Sequence, residues 1–154
     1  MQRPSRRVVL IGLVGATALG LTAYSIAGPT YGTILTPAQA FAALENSDIL
    51  LVDIRRPDEW ESTGVAQGAV PIDMRREDFV DAVLAARQSP AQPIALICAR
   101  GVRSARLARF LTQAGLTPLI DIPEGMLVSF AGPGGVRQGL PVVDWAQTDE
   151  DAKT

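Results

Sequence analysis

Ile94-Ala-Leu-Ile-Cys-Ala-Arg-Gly-Val-Arg-Ser104 joins an apolar run, the chain's single cysteine and a loop containing glycine and arginine. An unbroken run such as Pro93 to Ile97 is the pattern of a strand covered on both faces, as in parallel sheets. From Arg103 onward, Leu107, Phe110, Leu111 and Ala114 recur at helical spacing, and Gly115 is placed to end the helix. Strand, loop and helix in that order put Cys98 just past the carboxyl end of a strand, where open α/β sheets bind their ligands. The thiol there faces the free N–H groups and the positive dipole end of a helix start. Arg100 and Arg103 add two permanent positive charges. These influences are expected to favour thiolate over thiol and so make the sulfur nucleophilic. The plainer alternative is a structural cysteine buried beside a helix N-terminus.

Working outward, the same alternation continues on both sides. Thr117-Pro-Leu-Ile-Asp-Ile122 reads as another apolar strand, and Glu124-Gly-Met126 after it should return beside the cysteine loop. Upstream, Phe79, Val80, Val83, Leu84 and Arg87 outline a helix face that Ser89-Pro90 stops. Gly68-Ala-Val-Pro-Ile72 reads as a short strand with Pro71 at an edge position. Ile49-Leu-Leu-Val-Asp-Ile54 is a strongly apolar strand ending in Asp53, with Arg55 close behind. Before it, Thr36-Pro-Ala-Gln39 has helix-start chemistry, with Thr36 as cap, proline in the first turn and Gln39 three residues on. Phe41 and Leu44 carry the apolar stripe of that helix, and Asn46-Ser47-Asp48 ends it. Residues 28–35 read as a linker containing a short edge strand at Thr33-Ile-Leu35. The expected fold is α/β, a small central and mostly parallel sheet of about five strands with helices on both faces.

Composition excludes several kinds of chemistry. The 154 residues suit one domain with one packed core. There is no histidine, which removes imidazole bases, Cys-His catalysis and His-ligated metals. A single cysteine excludes an internal disulfide and a structural zinc site, so no metal is expected. The net charge is -2, and Arg3, Arg6 and Arg7 all precede the first acid. Fourteen basic residues less those three leave eleven against sixteen acids, a net -5 with no electrostatic case for nucleic acid. Positive charge is local instead, at Arg100, Arg103, Arg106 and Arg109, the last two read as a solvated helix face.

The N-terminus reads as a separate segment, residues 1–27. Gln2-Arg-Pro-Ser-Arg-Arg7 is a basic start, and residues 8–27 carry no charge. Ser25-Ile-Ala27 offers small residues before a cut at Gly28, and Ser5-Arg6-Arg7-Val-Val-Leu10 is similar to a twin-arginine export signal. Twenty uncharged residues can equally span a bilayer as an anchor. Either reading places the domain, residues 36–145, outside the cytoplasm, in the periplasm or cell envelope, with membrane contact only through the N-terminal segment. Residues 146–154 read as an acidic, disordered tail.

Four stretches together resemble the rhodanese family of sulfurtransferases. Cys98-Ala-Arg-Gly-Val-Arg-Ser104 is similar to that family's active loop, commonly Cys-x-x-Gly-x-(Arg/Thr/Ser). Asp53-Ile-Arg-Arg-Pro-Asp-Glu-Trp60 resembles its Asp-x-Arg-x-x-x-Glu-aromatic stretch. Gly64-Val-Ala-Gln-Gly-Ala-Val-Pro-Ile72 follows the next family pattern, with Val65 in place of the usual histidine and Val70 near the usual asparagine. Gly139-Leu-Pro-Val142 is present near the end, with Val136 where a tryptophan is usual and Trp145 too late to replace it. The resemblance runs from about Thr36 to Val142, in the expected order.

What the resemblance implies is a Cys98 persulfide, formed from thiosulfate or a similar anionic donor and passed to a thiol, to cyanide or to a protein acceptor. The persulfide is covalent, so no separate cofactor is expected. Ala99, Arg100, Gly101, Val102, Arg103 and Ser104 would bind the substrate and its sulfur through backbone N–H groups and guanidinium charge. Asp53, Glu59 and Trp60 are read as structural support: acid and base at a strand end clamp the following loop, and Trp60 covers the core. Arg55 is the additional candidate for drawing an anionic substrate. A non-catalytic sulfur carrier or interaction module is the main alternative. A phosphatase or arsenate reductase is more remote, because related folds use Cys-(x)5-Arg and the spacing from Cys98 to Arg103 is one residue short.

Overall fold

The computed structural model describes residues 32–146. The readings of residues 1–27 as signal or anchor and of the tail from 147 onward fall outside them. The described elements are β1 (Thr33–Ile34), α1 (Pro37–Glu45), β2 (Leu50–Asp53), α2 (Pro57–Thr63), β3 (Val65–Ala66) and β4 (Val70–Pro71), then α3 (Phe79–Ala86), β5 (Ile94–Ile97), α4 (Val102–Gln113), β6 (Leu119–Asp121) and β7 (Val142–Val143). Five strands form one sheet in the order β1-β6-β5-β2-β4, and every neighbouring pair is parallel. Thr33–Ile34, assigned to the linker as an edge strand, is indeed the sheet's edge, and Pro71 sits on the opposite edge, where its missing N–H is harmless.

Strand alternation explains why both faces need helices. Leu51, Ala95, Ile97 and Ile120 point to the face covered by Ala40 of α1 and Trp60 of α2. Leu50, Val52, Ile94, Leu96 and Leu119 point to the other, against Phe79 and Val83 of α3 and Ala108 and Leu111 of α4. Burying each aliphatic side chain contributes about 2 kcal/mol, so neither face could stay open to water. β5 lies between β6 and β2, its four residues all buried, and this central position fixes where Cys98 emerges.

Three local readings are corrected. The stretch after Asp53 is not a clamped loop throughout but the short helix α2, started by Pro57, with Glu59 accepting a hydrogen bond from the Arg56 N–H at 3.1 Å. Phe110, Val80 and Leu84 are exposed, because α4 buries the narrower stripe Ser104, Ala108, Leu111 and α3 buries only Phe79 and Val83. Finally, β3 pairs antiparallel with β7 in a second, two-stranded sheet that strand-by-strand reading did not separate. The helix start at Thr36 stands as read: its hydroxyl accepts from the Gln39 N–H at 3.2 Å, and the Gln39 side chain accepts from the Thr36 N–H at 2.9 Å.

Candidate active site

The parallel strand β5 delivers Cys98 to the carboxyl edge of the sheet, and α4 begins four residues later. Between them the backbone must reverse tightly, and Gly101 does so at φ 79°. A side chain there would also overlap the Pro123 carbonyl oxygen, so only glycine fits. The reversal aims the Gly101 N–H at the Cys98 Sγ, 3.1 Å away. Main-chain dipoles held this way stabilise negative charge on sulfur without having to reorganise. The first-turn N–H groups of α4, from Val102 to Ser104, have no acceptor within the helix.

A second loop braces the first. After β6 the chain returns beside the cysteine, as expected for Glu124 to Met126. The Met126 N–H donates to the Cys98 carbonyl at 2.9 Å, and the Leu127 N–H donates to the Ala99 carbonyl at 2.7 Å. Gly125, at φ 65°, lies so close that an added Cβ would stand 2.6 Å from the Cys98 carbonyl oxygen.

The Cys98 residue is only 1% exposed, and it lines the floor of a pocket of about 340 Å³. Glu59, Cys98, Ala99, Arg100, Val102, Arg103 and Leu127 line it. Of the expected substrate-binding residues, Ala99, Arg100, Val102 and Arg103 therefore face the pocket. Gly101 acts from beneath through its N–H. Ser104 is fully buried behind the sulfur, 3.6 Å from it, with its hydroxyl donating to the Gly101 carbonyl at 3.0 Å. That places Ser104 as a brace for the loop rather than in contact with a substrate in the pocket.

The two arginines of the loop differ. Arg103 forms a two-pronged ion pair with Glu59 at 2.6 and 2.8 Å, so its charge is largely neutralised. The guanidinium, first as hydrogen-bond donor, holds the Glu59 carboxyl below the usual carboxylate range. Glu59, read as structural support, is thus also a wall of the pocket. Among the described residues Arg100 has no ion-pair partner, and it is the pocket's free positive charge.

Arg55 is corrected from substrate binder to scaffold. It is 0% exposed and gives its N–H groups to the Asp53 carboxylate at 2.6 to 3.0 Å, to Thr63 Oγ1 at 2.6 Å and to the Gly64 carbonyl at 2.7 Å. None is left for a ligand. The pair ties β2 to the end of α2, as the support reading of Asp53 requires. Trp60 is buried over the core, its ring 5.6 Å from that of Trp145. The Gly125 brace belongs to the stretch expected beside the loop, whereas Leu127 as a wall of the pocket was not foreseen. Among the described residues, no cluster of three or more His, Cys, Asp or Glu side chains could hold a metal ion.

Comparison with known proteins adds sequence evidence to this geometry. A family model described as a Rhodanese-like domain matches residues 36–128. The chain is 29% identical over 125 residues to a tRNA uridine(34) hydroxylase of Escherichia fergusonii, covering 80% of this chain and 35% of that protein. The chain thus spans about a third of the length of the curated relatives it matches. Among solved structures, the polysulfide-sulfur transferase homodimer of Wolinella succinogenes is 26% identical with a TM-score of 0.57, covering 74% of this chain and 80% of that one. A protein of unknown function from Rhodopseudomonas palustris CGA009, described as a possible tyrosine phosphatase, is 28% identical with a TM-score of 0.55, covering 73% of this chain and 85% of that one.

Proposed function

The chain belongs to the rhodanese-like domain family, and on that premise we propose that it is a sulfurtransferase working through a Cys98 persulfide. The Cys98 thiolate attacks the outer sulfur of thiosulfate or a similar anionic donor. The donor's S–S bond breaks, sulfite leaves with the bonding electron pair, and the outer sulfur stays on Cys98. A thiolate or cyanide then attacks that sulfur and Cys98 departs as thiolate. No proton has to be removed by a base in either step, which suits a chain with no histidine. The observation that carries this reading is the Gly101 N–H held 3.1 Å from the cysteine sulfur at the base of a pocket with a free arginine. The Wolinella succinogenes neighbour, named for polysulfide-sulfur transfer, supports sulfur as the group moved.

Phosphate chemistry fits less well. Oxyanion binding in a cysteine loop needs a guanidinium fork turned toward the ligand. Here both terminal nitrogens of Arg103 are committed to Glu59. That same commitment favours a second reading, sulfur carriage to a protein acceptor without rapid turnover, because it leaves Arg100 alone to draw free anions. RNA is not proposed as a partner, since acids outnumber bases. The uncharged residues 8–27 behind Arg3, Arg6 and Arg7 support a place in the cell envelope.

Intact-mass measurement after incubation with thiosulfate tests the proposal. One added sulfur is expected on the native chain and none on Cys98→Ser. Thiocyanate released from cyanide would mark turnover, and a stable persulfide without it would mark carriage. A native chain that gains no sulfur from thiosulfate or polysulfide would overturn the sulfurtransferase reading.

A further inference from the structure

Beside the Cys98 pocket lies a larger cleft of about 730 Å³, formed where the 123–131 segment passes the start of α4. Its walls are Val102, Ala105, Pro123, Val128 and Phe130, with Arg100 at the border that it shares with the pocket. Val102, Val128 and Phe130 are exposed large apolar side chains, and Phe130 is wholly exposed. Such side chains clustered in one concavity, rather than scattered, mark a binding surface.

We propose that this cleft binds the body of an organic thiol acceptor, one with an apolar chain and a single acidic group. The inference rests on the sulfurtransferase reading and names the substrate class for its second half. Inorganic anions gain nothing from an apolar wall, so the cleft has no use for thiosulfate or cyanide. Cys98 does not line it, so its occupant must be elongated and must reach the sulfur over the Arg100–Val102 border. Arg100 is the charge at that border and is unpaired among the described residues, which complements one carboxylate or sulfonate on the occupant. The thiolate end then attacks the outer sulfur of the Cys98 persulfide. The S–S bond to Cys98 breaks, Cys98 regains its thiolate, and the acceptor leaves as its own persulfide. No oxidant or reductant is consumed.

The test loads the full chain with thiosulfate and follows loss of the added sulfur to three thiols. Mercaptohexanoate should unload it about tenfold faster than mercaptopropionate, which lacks the apolar length. Mercaptohexanol, without the charge, should also be slower. Phe130→Ser combined with Val128→Ser should level the two acids while thiosulfate loading stays unchanged. Equal rates for both acids on the native chain would overturn the proposal. If no persulfide forms, the parent reading fails, and the cleft is still tested by titrating octanoate and following the Val102 and Val128 methyl resonances by NMR. Shifts there would support the cleft as a site for apolar anions, and their absence would overturn it. A dimer dispersed by the Phe130→Ser change would assign the cleft to a second copy and likewise overturn it.

Discussion

Single side chains in this molecule are judged by what their polar atoms can reach. Arg55 and Arg100 are the same residue type, two and three positions beyond the last residues of their strands, Asp53 and Ile97, yet one is sealed and the other free. Removing either partner of the sealed Asp53–Arg55 pair would strand a buried charge, whereas the pair intact is held by six side-chain hydrogen bonds from Arg55 alone. Asp121 is the opposite case. Its Oδ1 is buried with no hydrogen-bond partner. Burial pushes the carboxyl above the usual aspartate range, outweighing the polar groups near it. A carboxyl raised in the fold contributes stability that is present below its unfolded value and lost as pH rises through the folded one. Asp121→Asn should therefore stabilise the chain at pH 7 by about 1 kcal/mol, and the gain should vanish near pH 3. Urea unfolding at both pH values checks this, with a loss at pH 7 as the contrary result.

Between elements, the Glu59–Arg103 ion pair is the link that shapes the chemistry, because it joins α2 to α4 across the mouth of the pocket. Both side chains are half-buried, so the pair is worth about 0.5 kcal/mol in stability. Its effect on charge is larger in consequence: with Glu59 in place the pocket presents one guanidinium, and without it two. Glu59→Gln should raise the rate of persulfide formation from thiosulfate about threefold at low salt, and 0.5 M salt should erase most of the gain. Stopped-flow loading at two ionic strengths measures it. A slower variant would show instead that Glu59 positions the donor. The α2 stretch was read as a clamped loop, although Pro57 and the acidic residues behind it are helix-start chemistry. Its pairing partner, 44 residues away, was not legible in the sequence.

At the scale of the whole chain, the last described residues belong to the same packed unit although the family match stops at residue 128. β7 pairs with β3, Leu140 enters the core, and Trp145 packs against Trp60. These contacts close the face of the sheet covered by α1 and α2. Ending the chain at Pro141 should cost about 3 kcal/mol and shift Trp60 fluorescence toward that of a wetter indole. An unfolding midpoint equal to that of the full chain would show that the closing segment is decoration.

The sequence by itself determined the α/β alternation, the helix start at Thr36, the edge position of Pro71 and the place of Cys98 between a buried strand and a helix. Those follow from local rules: periodicity, caps and the reach of a few peptide units. Only the tertiary structure decided that Arg55 is sealed, that Arg103 is spent on Glu59 and that Arg100 is left to face the pocket. Each of those outcomes depends on which distant side chain arrives within hydrogen-bond range, and no local pattern along a chain records that.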